Sequence, residues 1–333
     1  MLKFLSSKKV RLIGGLILFG GFYAFHFRKI DNSELEASIA RNLTVAPTSA
    51  PVTAAPEEFP EDALLVRGSA LCIGDSSDQV TKALGTPGRI DATENDYDYY
   101  VYNNDYSRMA FIAVKEDKVI GFYTDSEDFS FHHIRYGDTI SQINSTLGKN
   151  YTEAAVLTYE TDAYTAMILM DQLDKHTVTG IFVLAKDGKD SGSEDKPKQY
   201  TDIVVNNIEQ MSYDLANSVR RHHGLSALSW SSSAGIAARK HSEAMASKDF
   251  FGHVDPELRT PGGRLFAEGI GYSDYAENII GGYDDAILSS HAFYNSAKQR
   301  RNILSSDYRY MGVGFAYDEK SKYKTYYTQI FYR

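Results

Sequence analysis

The sequence predicts an α+β protein with more than one folded unit, on three observations. Apolar residues at helical spacing recur in short, separate stretches, and between them lie strand-like runs rich in aromatic and β-branched residues. A third feature is a block near residues 73–85 that returns 63 residues further on. At 333 residues the chain exceeds one ordinary core and fits two folded units plus extensions.

The repeat defines the middle of the chain. Gly74, Asp75 and Ser76 match Gly137, Asp138 and Thr139, and each hydroxyl residue is placed to cap a helix. Val80 and Leu84, like Ile143 and Leu147, then share one helix face, and Gly85 and Gly148 stand where a helix ends. Strand-like runs follow each copy, at 97–102, 109–115 and 118–123, and at 154–159, 163–170 and 177–185. Each copy reads as a short helix with a small antiparallel sheet, and two copies can form one duplicated α+β domain over residues 63–187. His132 and His133 read as a solvated pair on a strand, pointing to opposite faces. The charged, Gly/Ser-rich stretch 188–199 reads as a linker.

Residues 200–333 start with a helix over 202–222, with Ile208, Met211, Leu215 and Val219 on one face. His222 and His223 close it, where cations suit the helix dipole, and they are given no further role. A second helix spans 233–247 with His241 on its apolar face, as a core histidine bonded to backbone. A third is expected over 284–297, and strands at 311–317 and 324–332 end the chain.

At the other end, Lys3, Lys8, Lys9 and Arg11 precede an uncharged run at 12–27. As a helix it would rise about 24 Å, short of the ~30 Å hydrocarbon core but extendable by flanking Lys and Arg. The excess of positive charge before the run puts the N-terminus in the cytoplasm and the bulk of the chain outside. Residues 1–30 thus read as an uncleaved membrane anchor, with a signal peptide as the alternative and a soluble helix as the third reading. Either of the first two exports the remainder. Residues 31–62, with the Pro/Ala/Thr stretch 45–56, form an extended linker.

Composition removes some functions. With 35 basic and 44 acidic residues the net charge is −9, and no basic cluster runs through the body of the chain to bind nucleic acid. Cys72 is the only cysteine, so no intrachain disulfide or Cys-based zinc site can form. An exported chain with one cysteine reads as bacterial. The 24 tyrosines against one tryptophan fit half-exposed strands or a polar recognition surface.

The C-terminal motifs carry a resemblance. Asn217, Arg220, Leu228 and Trp230 are followed by His241 to Met245, Phe250 to His253, Ala276 to Ile279, and Tyr294 to Ser296. Arg300 to Leu304, Gly312 to Gly314 and Tyr327 to Phe331 complete the order. Over about 130 residues this resembles the CAP superfamily (cysteine-rich secretory proteins, antigen 5 and pathogenesis-related 1). The middle domain is similar to the one that accompanies CAP domains in some Firmicute proteins. The resemblance implies an α-β-α sandwich and a cleft of two His and two acidic positions that binds zinc in some members. Those positions fall on His253, Glu277, Ser296 and Gln299, so one imidazole and one carboxylate are replaced. A neutral amide is a poor zinc ligand, so no metal or other cofactor is expected, with His253 and Glu277 the ligands if any.

The leading expectation is a non-enzymatic, membrane-tethered surface module of a Gram-positive bacterium that binds an envelope component, lipid or protein. The competing one is a surface hydrolase or peptidase using His253 and Glu277, although no nucleophile-elbow motif is present. An architectural protein with Tyr-rich contact faces is a third.

Overall fold

The computed structural model describes residues 59–186 and 198–333, which fall in one compact unit, Glu58–Arg333. The apolar run at 12–27 and the Pro/Ala/Thr stretch lie outside the described residues, as does most of 188–199. Among the described residues no helix is long and apolar enough to cross a membrane.

The first part contains β1 (Leu64–Val66), β2 (Ser69–Leu71), α1 (Ser77–Leu84), β3 (Arg89–Ala92), β4 (Asp98–Tyr102), β5 (Ala110–Lys115) and β6 (Lys118–Thr124). It continues with β7 (Ser130–Phe131), β8 (Ile134–Arg135), α2 (Ile140–Leu147), β9 (Val156–Glu160), β10 (Tyr164–Met170) and β11 (Val178–Ala185). Both helices open in a capping box: Ser76 with Gln79, and Thr139 with Gln142. The strands after α1 and those after α2 do not make two small sheets, as expected, but one antiparallel sheet of seven, ordered β3-β4-β5-β6-β11-β10-β9. The seam is the pairing of β6 with β11, and a four-stranded sheet, β2-β1-β7-β8, stands apart.

β5 has an unbroken apolar run because both its faces are covered. Phe111 and Ala113 join one core, while Ala110, Ile112 and Val114 join another beneath α1, α2 and the small sheet. His132 and His133 are not on a strand. Both lie in the turn between β7 and β8 with φ of 49° and 61°, and the His132 ring packs on Phe131.

The second part holds α3 (Asp202–His222), β12 (Ser229–Trp230), α4 (Ser232–Ser247), α5 (Pro261–Ala267) and β13 (Tyr275–Gly281). α6 (Ala286–Tyr294), α7 (Ala297–Ile303), β14 (Tyr310–Tyr317) and β15 (Thr325–Tyr332) complete it. The single helix expected over 284–297 is two, broken at Asn295 and Ser296; Asn295 turns out to bond Met170 O (3.1 Å) and Gln172 N (2.7 Å). The sheet runs β12-β14-β15-β13, with only β12 and β14 parallel. Helix α4 lies against β14 and β15 on one face, and α3 packs on the other.

The two parts share a core. Ile208, Met211 and Leu215 of α3 pack with Tyr99, Phe111 and Phe182 of the seven-stranded sheet. Buried polar pairs fasten the same seam. Asp214 of α3 accepts from Arg89 (2.8 Å), Asn103 (3.0 Å) and Tyr106 (2.9 Å), and Arg300 of α7 reaches Asp171 at 2.5 Å. Many tyrosines are core residues, Tyr99, Tyr123, Tyr326 and Tyr327 among them, where half-exposed positions were expected.

Candidate functional site

The family-like motifs first resolve into structural work. Asn217 brackets Leu228, accepting from its N–H (2.8 Å) and donating to its carbonyl (3.3 Å). The Arg220 guanidinium donates to the carbonyls of Ser226, Ile303 and Ser305. Asn302 donates to Asn278 (2.8 Å), Asn278 to Gln329 (3.2 Å) and Gln329 to Ser212 (3.2 Å), a buried amide chain behind β13. Buried polar groups of this kind must be paired, which accounts for those residue types.

Glu277 lies in the middle of β13, opposite Ile330, rather than at a strand start or bend. The pleat sends Glu277 and Asn278 to opposite faces. Asn278 meets α7, and Glu277, only 6 % exposed, enters a cluster formed with α4, α5 and the loop between them. There Glu277 Oε1 accepts from His253 Nδ1 at 2.9 Å, and Oε2 accepts from Arg264 Nη2 at 2.5 Å. Arg264 also donates to the carbonyls of His253 (3.0 Å) and Arg259 (2.9 Å). One guanidinium thereby joins the loop carrying His253 to the strand carrying Glu277. Because Nδ1–H donates to the carboxylate, the His253 ring, 39 % exposed, turns Nε2 away from Glu277.

His241 closes the cluster from α4. Its Nε2 donates to Gly252 O at 2.9 Å and lies 3.8 Å from Glu277 Oε1. Burial holds this imidazole down to about 4, against the pull of Glu277 towards the charged form. The sequence reading of His241 as a backbone-bonded core histidine describes one of its two contacts.

The four expected cleft positions divide. His253 and Glu277 meet; Ser296 and Gln299 make no hydrogen bond to either. Gln299 instead donates its side-chain amide to Ile279 O of β13 (3.3 Å), while its backbone carbonyl accepts from the Asn278 side chain (3.1 Å). Ser296 stands at the start of α7 without a capping bond from its side chain. Arg264 was missed. Its available signal is that it is the one charged residue in the helix Pro261–Ala267, and it is buried.

Zinc does not suit this donor set. Both Glu277 oxygens are engaged, one by a guanidinium whose charge opposes a dication. Among the described residues no group of three or more His, Cys, Asp or Glu is placed to hold a metal ion. Calorimetric titration is expected to give no stoichiometric zinc binding at micromolar concentration. Micromolar or tighter binding by the unaltered chain would contradict this.

Exposed apolar side chains lie on the segments that carry His253 and Arg264. Leu258 is 82 % and Phe266 77 % exposed, and Phe251 and Val254 flank the histidine in the chain with open side chains.

Comparison with known proteins bears on the family and the fold. Residues 213–331 match the model of the cysteine-rich secretory protein family (CAP), and residues 73–179 match the CAP-associated N-terminal model. The uncharacterized membrane protein YlbC of Bacillus subtilis is 28 % identical over 289 residues, covering 78 % of this chain and 82 % of its own. The uncharacterized protein YkwD of the same organism is 31 % identical over 111 residues, covering 33 % of this chain and 43 % of its own. An extracellular protein containing a SCP domain from Bacillus anthracis superposes with a TM-score of 0.65 at 21 % identity, over 87 % of this chain and all (100 %) of that one. A cysteine-rich secretory protein from Staphylococcus aureus gives 0.61 at 19 % identity, over 78 % of this chain and 91 % of that one. Both likenesses concern the fold.

Proposed function

We propose, from the premise that this chain belongs to the CAP family in its bacterial form, that it is an extracellular, membrane-tethered binding protein. Its ligand, an envelope component, lipid or protein, rests on the surface at His253. The observation that carries this reading is the complete pairing of Glu277, together with exposed apolar side chains on the segments that carry its partners His253 and Arg264. His253 Nδ1 and Arg264 fill the two carboxylate oxygens, while Leu258 and Phe266 stand open to solvent. A carboxylate so committed is an orienting group rather than an acid or base available to a substrate. The imidazole then offers Nε2 to a hydrogen-bonding group of a ligand whose apolar portion covers the exposed apolar side chains.

Tethering through residues 1–30 and the reading of residues 63–187 as a duplicated domain belong to the same proposal. The first is supported by the apolar run with its positive-inside flanks, and the second by the two capping boxes 63 residues apart. The alternative, a surface hydrolase or peptidase, has one observation in its favour. The Glu277–His253 pair is the orienting half of a nucleophile triad. Among the described residues no serine, threonine or cysteine is hydrogen-bonded to the His253 ring.

The test is binding of the full chain, in detergent, to envelope fractions, compared with His253→Ala and Phe266→Ser. Each variant is expected to weaken binding about tenfold, about 1.4 kcal/mol; Phe266→Ser should leave Tm little changed because its side chain is open to solvent, whereas His253→Ala also removes a hydrogen bond from buried Glu277 and should lower Tm. Unchanged binding in both would remove this surface as the site. Turnover of peptide or ester substrates that His253→Ala abolishes would install the alternative.

A further inference from the structure

Where α3 and α6 meet the seven-stranded sheet there is a cavity of about 40 Å³. Its wall includes His222 and His223 at the end of α3, Ser290 and His291 of α6, and Asp125 and Tyr136 from the other part. Three buried polar atoms on that wall have no hydrogen-bond partner: Asp125 Oδ1, His222 Nε2 and Ser290 Oγ. A water needs roughly 10–15 Å³ of such space, so the cavity has room for two or three. Local pattern assigns His222 and His223 no role beyond the helix dipole; the structure puts both in the joint between the two parts.

The three histidines are held differently. His291 donates from Nε2 to Ala155 O at 2.8 Å, directly across the seam. His223 Nε2 meets Tyr294 OH at 3.1 Å. His222 stacks on Tyr136 at 5.2 Å and lies 3.4 Å from Glu127 and 3.8 Å from Asp125. The charged groups facing them are Asp125 and Glu127 after β6, Asp171 and Lys175 after β10, and Arg300 on α7.

We propose that this seam is a proton-operated joint. Acidification charges His291 and His223 and loosens α6 and the end of α3 from the seven-stranded sheet, while the carboxylates at His222 oppose the opening. A second proton on His291 would place a cation in a buried site whose one shown acceptor, Ala155 O, is already bonded.

The signs follow from the environments. Burial holds His291 down to about 4, and burial followed by Arg300 holds His223 below its ordinary value. When the seam opens, both return towards about 6.5, so the open form binds more protons as pH falls from there towards 4. For His222 burial opposes the charge, but Asp125 and then Glu127 outweigh it and hold the imidazole up. Its contribution therefore favours the closed form at low pH and is lost as pH rises through that elevated value. Two imidazoles work for opening and one against.

Hydrogen exchange of the full chain in detergent tests this. Between about pH 7.5 and about pH 5, after correction for intrinsic exchange, opening at the seam amide of Gln172, which donates to Asn295 Oδ1 across the joint, is expected to rise about tenfold. The β14–β15 amides should not follow. His291→Gln keeps a donor for Ala155 and cannot be charged, so it should flatten the rise; His222→Gln removes the opposing pair and should steepen it. If His291→Gln fails to fold, the His222→Gln slope decides alone. Seam exchange that is independent of pH, that rises in parallel with the core, or that keeps its slope in the folded variants overturns the proposal.

Discussion

Arg264→Met is expected to destabilise the described unit by about 3–5 kcal/mol, the usual cost of leaving a buried carboxylate without its partner. Arg264 is 5 % exposed, and its removal strands Glu277 Oε2 and the carbonyls of His253 and Arg259 together. For a unit of this size that corresponds to a fall in Tm of about 10 °C. Arg264→Lys should fall between, because one ammonium cannot reach three divergent acceptors as a planar fork does. The informative variant is the pair Arg264→Met with Glu277→Leu. Removing both charges leaves no ion unpaired, so the double variant should recover much of the loss. Thermal denaturation of the three chains decides it, and a double variant no more stable than Arg264→Met would refute the assignment.

Gly314→Ala is the second large effect, for a reason of space alone. A Cβ at Gly314 would stand 2.0 Å from Arg239 N and 2.1 Å from Ala238 C; at Gly312 it would stand 2.2 Å from Gly235 N. These are backbone atoms of α4, which cannot swing aside. Retreat of the helix is also resisted, since Arg239 is tied to Glu209 of α3 at 2.7 Å and Glu209 also accepts from Phe315 N at 3.0 Å. A loss of about 3 kcal/mol or more is expected, at the upper end for one added methyl group. A loss below about 1 kcal/mol by urea denaturation would mean that α4 does not lie so close to β14.

Much of the molecule was legible in the chain. The capping residues Ser76 and Thr139, the apolar faces of α3 and the strands 110–115 and 164–170 follow from local pattern, because caps and periodicity are local properties. The ordered motifs of the C-terminal part carried the family resemblance and with it the α+β class. Local pattern failed where the chain's neighbour was distant. A continuous apolar run reads alike whether a strand ends one small sheet or lies inside a larger one, so the joining of β6 to β11 was not visible. The break between α6 and α7 answers to Met170 and Gln172, well over a hundred residues earlier.

The site divides in the same way. His253 and Glu277 were named from their motifs, and the geometry brings them to 2.9 Å. Arg264 was passed over because a single arginine in a seven-residue helix has no pattern; its meaning comes from a strand thirteen residues on and a loop eleven residues back. The glycines at 312 and 314 were recognisable as a motif, but their cause is the backbone of α4 pressed against them. The sequence by itself determined the class of fold, the element boundaries set by caps, and the residue types of the cleft. Only the tertiary structure decided which charges are paired, which histidines share a cavity, and that the two parts close over one core. Those properties depend on distances between segments far apart in the chain, and periodicity carries no information about such distances.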